Sequence, residues 1–244
     1  MSDALDLPGT FNSRIAGRTQ EGKPWLVRSA HLDDLRPEGL RVLLDLGVET
    51  VVDLREPGER RARRLPGIQV HHVPLYRLPG GPPQTGSLTE VYSFLLQKRG
   101  GPLAEAVQAV AEAEGPALLH CAVGKDRTGL VTALLRRAAG DELPAVLSDY
   151  ELSASQLPAH HHDNVLAVLG RKPLDARSRR SALALHTSSP GETLATALGG
   201  VESRWGDTAG YLRHHGLPER VLRALDSRTL GRRRTAEEAG AVWS

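Results

Sequence analysis

Short apolar runs alternate with helical periods along the first half of the chain. Residues 25–30 (W-L-V-R-S-A), 48–54 (V-E-T-V-V-D-L) and 68–75 are strand candidates, the second through its β-branched content. Residues 117–119 (A-L-L) follow Gly115-Pro116 and fit a buried strand. Leucines at 35, 40, 43, 44 and 46 predict a helix that begins near Pro37 and stops at Gly47. Leu130, Leu134 and Ala138 recur every four residues, with Val131 and Leu135 beside them, and predict another. Residues 88–96, 103–113, 143–152, 193–205 and 216–230 also read as helices, whereas 158–180 has no clean period. Residues 79–86 (P-G-G-P-P-Q-T-G) have the composition of a mobile loop. Residues 1–10 read as a loose leader and 231–244 as a poorly ordered tail. This order predicts an α/β fold: a central, mostly parallel sheet flanked by helices, extra helices after the helix at 130–138, and a site at the carboxyl edge of the sheet.

The strand–loop–helix unit at 115–138 carries the chemistry. Gly124 and Gly129 permit a tight loop between strand and helix. Such a loop closes onto a helix N-terminus and turns backbone N–H groups inward, where the helix dipole adds positive potential. That is a cradle for a dianion such as phosphate, formed by Ala122, Val123, Gly124 and Lys125. Arg127 grips two phosphate oxygens through its planar fork. The same field favours an anionic sulfur at Cys121, and His120 assists by hydrogen bond or charge. A thiolate beneath a bound phosphoryl group is a nucleophile, giving a phosphocysteine that water hydrolyses. Thr128 places a hydroxyl where it stabilises the departing sulfur.

Composition narrows the alternatives. The chain has 244 residues, enough for one large domain, and 31 basic against 29 acidic residues, too balanced to imply a nucleic-acid scaffold. Cys121 is the only cysteine, so disulfides and thiolate metal clusters are excluded and a reducing, cytoplasmic setting is expected. No signal peptide or membrane span is visible. His160-His161-His162-Asp163 lacks the spacing of three or four that ligands on one helical face prefer. No metal and no cofactor is therefore expected.

The string His120-Cys121-Ala122-Val123-Gly124-Lys125-Asp126-Arg127-Thr128-Gly129 resembles the signature of the cysteine-dependent protein tyrosine phosphatases, in particular the bacterial atypical branch. Ser29-Ala30-His31, Val52-Asp53-Leu54-Arg55 and Trp205-Gly206-Asp207-Thr208-Ala209-Gly210-Tyr211-Leu212-Arg213 extend the likeness, which covers roughly residues 11–230 and implies a single phosphatase domain. Tyr150-Glu151-Leu152-Ser153-Ala154 departs from the family pattern by lacking an asparagine after the serine. The resemblance implies activity on phosphotyrosine, phosphoserine/threonine or phosphoinositides.

Ester hydrolysis needs a proton donor for the leaving oxygen. No aspartate lies between Asp53 and Asp126, which excludes an upstream loop aspartate in the usual interval. The resemblance implies the acid role for Asp126; its competing role is a helix cap. Asp53 is the second candidate acid, or else a partner that holds Arg55. Lys125 adds charge near the substrate or is a solvated surface lysine. Residues 59–64 (E-R-R-A-R-R) line the mouth of the site or form a solvated charged face. The function expected is a phosphomonoester hydrolase acting on a phosphorylated protein, with a phosphoinositide, sugar phosphate or nucleotide as alternative substrate. A rhodanese-like sulfur transferase is disfavoured by the five residues between Cys121 and Arg127. A non-catalytic phosphate-binding module is expected to have lost Cys121 or Arg127, and neither is lost. Residues 153–190, an insertion after the central helix, are a candidate lid, and the oligomeric state is open.

Overall fold

The computed structural model describes residues 3–61 and 63–228. Five strands form the sheet: β1 (Arg14–Arg18), β2 (Pro24–Ser29), β3 (Thr50–Asp53), β4 (Gln69–His72) and β5 (Ala117–His120), in the order β1-β2-β5-β3-β4. The β2–β5, β5–β3 and β3–β4 pairs are parallel, and only the edge strand β1 is antiparallel to its neighbour. β5 lies at the centre and is wholly buried.

Alternate residues along the strands face two cores. Leu26, Val52 and Leu119 pack with α2 (Leu88–Lys98), α3 (Gly100–Ala111) and α4 (Asp126–Ala138), and with α5 (Leu143–Ser155) and α8 (Gly191–Trp205). The short helices α9 (Thr208–His214) and α10 (Glu219–Ser227) complete that face. Val27, Val51 and Leu118 face the other way, against α1 (Pro37–Asp45). This period of two is what a sheet covered on both faces requires.

The remaining helices, α6 (Ala159–Gly170) and α7 (Ala176–Thr187), occupy the stretch without a clean period. They pack on each other around Val165, Leu169 and Ala182, a cluster separate from the two main cores. Asp175 caps α7 by accepting from the Ser178 N–H at 2.8 Å. The Pro/Gly-rich loop at 79–86 lies against α7: Ser181 Oγ donates to Gly86 O, and His186 Nε2 to Gln84 O, each at 3.1 Å.

One expectation is corrected, and two elements were not predicted. Residues 3–10 are not a loose leader: Leu5 N–H donates to Ser13 O, Ile15 N–H donates to Asp3 O, and Leu7 is buried beside α1. Leu5 and Leu7 on the α1 core, and a third backbone bond from Arg36 N–H to Pro8 O at 2.8 Å, anchor the segment. β1 was not legible as a strand because R-I-A-G-R offers little apolar alternation; its pairing with β2 and the burial of Arg14 define it. α9 also escapes the apolar pattern, being a short helix started by the Asp207 cap, which accepts from Gly210 N–H at 2.6 Å. The expected tail at 231–244 lies outside the described residues.

Candidate active site

Sheet register builds one wall of the site. At the carboxyl edge His120 ends β5, flanked by Ser29 of β2 and Asp53 of β3. Cys121 follows immediately and is buried. The loop from Ala122 to Lys125 then turns into α4. Its tightest point is Gly124, at φ +72°, where an added Cβ would lie 2.3 Å from Ser29 O. Only glycine fits both constraints.

Every carbonyl of this loop is held from outside. His31 N–H donates to Ala122 O at 3.2 Å. Asn12 Nδ2 donates to Val123 O at 3.1 Å and Gly124 O at 3.0 Å. Arg28 Nη2 donates to Gly124 O at 2.8 Å, and Gly129 N–H caps Lys125 O at 2.8 Å. With the carbonyls turned outward, the N–H groups take the concave side. Among the described residues, no N–H from Ala122 to Thr128 meets an acceptor in the protein. A run of aligned free donors at the N-terminus of a long helix is an anion site.

Arg127 stands on the first turn of α4, with its guanidinium already positioned. Nη1 and Nη2 donate to the two carboxylate oxygens of Glu59 at 2.5 and 2.7 Å. The guanidinium carbon lies 5.4 Å from the Tyr76 ring centroid, within cation–π range. Glu59 ends a 3-10 turn, Pro57–Glu59, closed by the Glu56 N–H donating back to Glu59 Oε2 at 2.9 Å. Glu56 in turn accepts from the N–H groups of Tyr76 and Arg77 at 2.8 and 3.1 Å. Burial works against the Arg127 charge, but the Cys121 sulfur and the Glu59 carboxylate outweigh it and hold the arginine more basic than usual.

Asp53 is buried, with both oxygens occupied. Arg55 donates to Oδ1 from its N–H and Nε, and to Oδ2 from Nη2, each at 3.0 Å. Arg55 also forks onto Asp33 at 2.7 and 3.0 Å. Burial pushes the Asp53 carboxyl up, and the Arg55 bonds with the neighbouring His120 pull it below the ordinary range. Asp53 thus has the geometry of an orienting partner of Arg55. His120 Nδ1 sits 3.1 Å from Cys121 O and 3.9 Å from Asp53. Burial lowers the His120 pKa to about 4 against the opposing pull of Asp53, so the ring is neutral at neutral pH.

Lys125 and Asp126 form a pair at 2.5 Å. Lys125 is buried, unlike a solvated surface lysine, and its Nζ also donates to Leu185 O at 3.0 Å and Ser188 O at 2.7 Å, at the end of α7. The α6–α7 unit is thereby tied to the anion loop. Asp126 is the first residue of α4 and makes no side-chain cap, so the capping role does not hold. Its carboxylate is partly exposed and near the buried Tyr92–Tyr150 pair, whose hydroxyls are 2.6 Å apart. The Thr128 hydroxyl is buried without a partner among the described residues. Glu90, by contrast, is spent on the capping box with Ser87 at the start of α2.

The sequence reading missed the residues that shape the loop from behind. Arg14 and Arg28 share Asp149, at 2.7 and 2.5 Å, and both donate to Ser153 Oγ, at 2.9 and 3.2 Å. Ser153 belongs to the motif that departs from the family pattern, and its role is to join these two guanidinium groups. Burial and repulsion by Arg28 bring Arg14 down to about 10. Arg28, inside an otherwise apolar strand, was the one available signal; a charge there demands a buried partner. Asn12 gave none, and Glu59 was marked only as part of the charged run 59–64.

A thiol at the carboxyl edge of a parallel sheet, facing free N–H groups and a pre-positioned arginine, defines the architecture of a cysteine-based phosphatase. The chain belongs to the tyrosine phosphatase family, whose model matches residues 5–231. It is 27% identical, over 276 residues, to the triple specificity protein phosphatase PtpB of Mycobacterium tuberculosis, covering 93% of this chain and 99% of that one. It is 26% identical, over 224 residues, to a tyrosine-protein phosphatase of Nostoc commune, covering 83% of this chain and 73% of that one. Among solved structures it is similar to P. aeruginosa TpbA, with 23% identity and a TM-score of 0.39 over 81% of this chain and 96% of that one.

Proposed function

We propose that this phosphatase hydrolyses phosphate monoesters on protein side chains, phosphotyrosine foremost, through a phosphocysteine intermediate and without a metal. The single observation that carries the reading is the set of free N–H groups from Ala122 to Thr128 converging with Arg127 beside Cys121. Those donors bind the three non-bridging phosphoryl oxygens and stabilise the charge that spreads over them in the transition state.

The Cys121 sulfur attacks phosphorus in line with the ester bond. The S–P bond forms, the P–O ester bond breaks, and Asp126 gives its proton to the leaving oxygen. Water then attacks the same phosphorus and Asp126 takes its proton. The S–P bond breaks, and the Thr128 hydroxyl donates to the departing sulfur. Asp126 is assigned this role because its carboxylate is partly exposed at the loop, whereas Asp53 is buried with both oxygens engaged. Asp53 positions Arg55 and His120 beneath the loop. The names of the relatives, protein phosphatases, favour a protein substrate. A cytoplasmic, reducing location is part of this proposal, and the reliance on one free thiol supports it.

The test is hydrolysis of a phosphotyrosine peptide and of p-nitrophenyl phosphate with EDTA present, by wild type and by Cys121→Ser. Release of phosphate by wild type and none by the variant is expected. Equal rates in both would overturn the nucleophile assignment, and turnover that needs added metal would overturn the mechanism.

A further inference from the structure

Beside the phosphate clamp lies a second concavity, of about 550 Å³, lined by Pro57, Arg60, Arg61, Arg63, Arg64 and His72. Its walls carry four guanidinium groups, one imidazole and no carboxylate. The charge is only partly compensated from outside. Arg61 pairs with Asp34 at 3.2 Å, with both side chains exposed, and Arg63 donates to the carbonyls of Asp33 and Leu35. Among the described residues neither Arg60 nor Arg64 has an acidic partner, and Arg60 Nε is shielded from solvent without an acceptor. A shielded guanidinium N–H without an acceptor is costly, and a ligand oxygen removes that cost. His72 points the same way: burial and the charge of Arg60 both lower its pKa.

The position of this concavity connects it to the reaction. Pro57 and Glu59 share one 3-10 turn, Glu59 holds Arg127, and Arg60 is the next residue. Successive Cα atoms are about 3.8 Å apart, so the basic walls begin one residue from the group that supports the phosphate-gripping arginine. On its other side, His72 Nδ1 lies 3.6 Å from Asp53, at the sheet edge beside His120. Guanidinium groups favour planar oxyanions, carboxylates included, through two parallel hydrogen bonds. Pro57 is the one apolar residue in the lining and Leu65 beyond it is buried. Nothing in the lining is built to enter lipid, which disfavours a membrane surface.

We propose that this concavity is a second anion site that takes acidic side chains adjacent to the phosphorylated residue of a protein substrate. The assignment rests on the phosphoprotein reading above. It makes the enzyme selective for phosphorylated residues in acidic surroundings, through binding and not through the chemical step.

The test compares two phosphotyrosine peptides, one with Asp and Glu flanking the phosphorylated residue and one with Asn and Gln there. Wild type and Arg60→Gln/Arg64→Gln are assayed on both, with p-nitrophenyl phosphate as a substrate lacking a second anion. At low ionic strength the wild type is expected to prefer the acidic peptide by roughly threefold to tenfold in kcat/KM, through KM, as two exposed ion pairs allow. The double variant is expected to lose that preference and to keep wild-type turnover of p-nitrophenyl phosphate. Equal preference in both proteins, no preference in the wild type, or loss of p-nitrophenyl phosphate turnover in the variant would each overturn the proposal. If the wild type hydrolyses neither peptide, the phosphoprotein reading fails. Fluorescence anisotropy of the labelled, unphosphorylated acidic peptide then decides the site separately: binding by wild type that the variant loses supports it, and equal binding overturns it. Variant-sensitive binding to anionic vesicles with no binding of the peptide would also overturn it.

Discussion

Glu59 and Arg127 face each other through a two-pronged ion pair, with nitrogen–oxygen distances of 2.5 and 2.7 Å. The pair joins the turn after β3 to the first turn of α4, two elements distant in sequence. Its effect is to pre-set the guanidinium plane, so that ordering Arg127 costs little when phosphate binds. Removing the negative charge while keeping the shape isolates that effect. Glu59→Gln is expected to lower kcat/KM for p-nitrophenyl phosphate by roughly tenfold to hundredfold, the cost of a small misplacement. Steady-state kinetics checks this, and an unchanged value would mean Arg127 is held by Tyr76 and the helix alone.

Asp126→Asn separates proton donation from nucleophilic attack. The nitrophenolate of p-nitrophenyl phosphate leaves without help, whereas the tyrosine oxygen of phosphotyrosine needs a proton. Phosphotyrosine turnover is expected to fall by about 10²–10⁴-fold, and p-nitrophenyl phosphate turnover by much less. Equal losses on both substrates would count against the acid role.

The anion loop depends on its supports. Gly124→Ala meets Ser29 O at 2.3 Å in a left-handed conformation, and is expected to cost at least about 3 kcal/mol of stability and to remove activity. Arg28→Lys keeps the charge but cannot reach Asp149 and Gly124 O together, since lysine has no fork. A stability loss of roughly 1–3 kcal/mol, with a rise in KM, is expected from denaturation curves and kinetics. A stable Arg28→Lys protein with unchanged KM would show that Asn12 and His31 suffice to orient the loop.

His120 makes folding sensitive to mild acid. Its ordinary value of 6.5 applies in the unfolded chain, and burial lowers it to about 4 in the fold. Between those values the unfolded state binds more protons than the folded one, so stability rises with pH across that window. Above it the residue contributes no pH dependence. The full difference is roughly 3 kcal/mol. His120→Asn is expected to flatten the stability profile between pH 6.5 and 4 relative to wild type, as measured by chemical denaturation. Parallel profiles for the two proteins would show that the acid sensitivity arises elsewhere.

The local chemistry was legible in the chain because it is contiguous. Ten residues from His120 to Gly129 contain the thiol, the turn glycine, the arginine and the start of a helix, and a loop closing on a helix N-terminus turns its donors inward whatever surrounds it. Strand and helix placement followed from apolar periods of two and near four, which report burial of one face or both. What folding alone decided was long-range and polar. Glu59 became the partner of Arg127, Asn12 and Arg28 came behind the loop, Lys125 was drawn under α7, and Arg60 was left without an acid beside it. A charged side chain carries no period, and its partner is chosen by the packing of apolar elements that bring distant segments together. Hydrophobic patterning therefore wrote the sheet and its helices into the sequence, whereas the pairing of the buried charges around Cys121 exists only once those elements have packed.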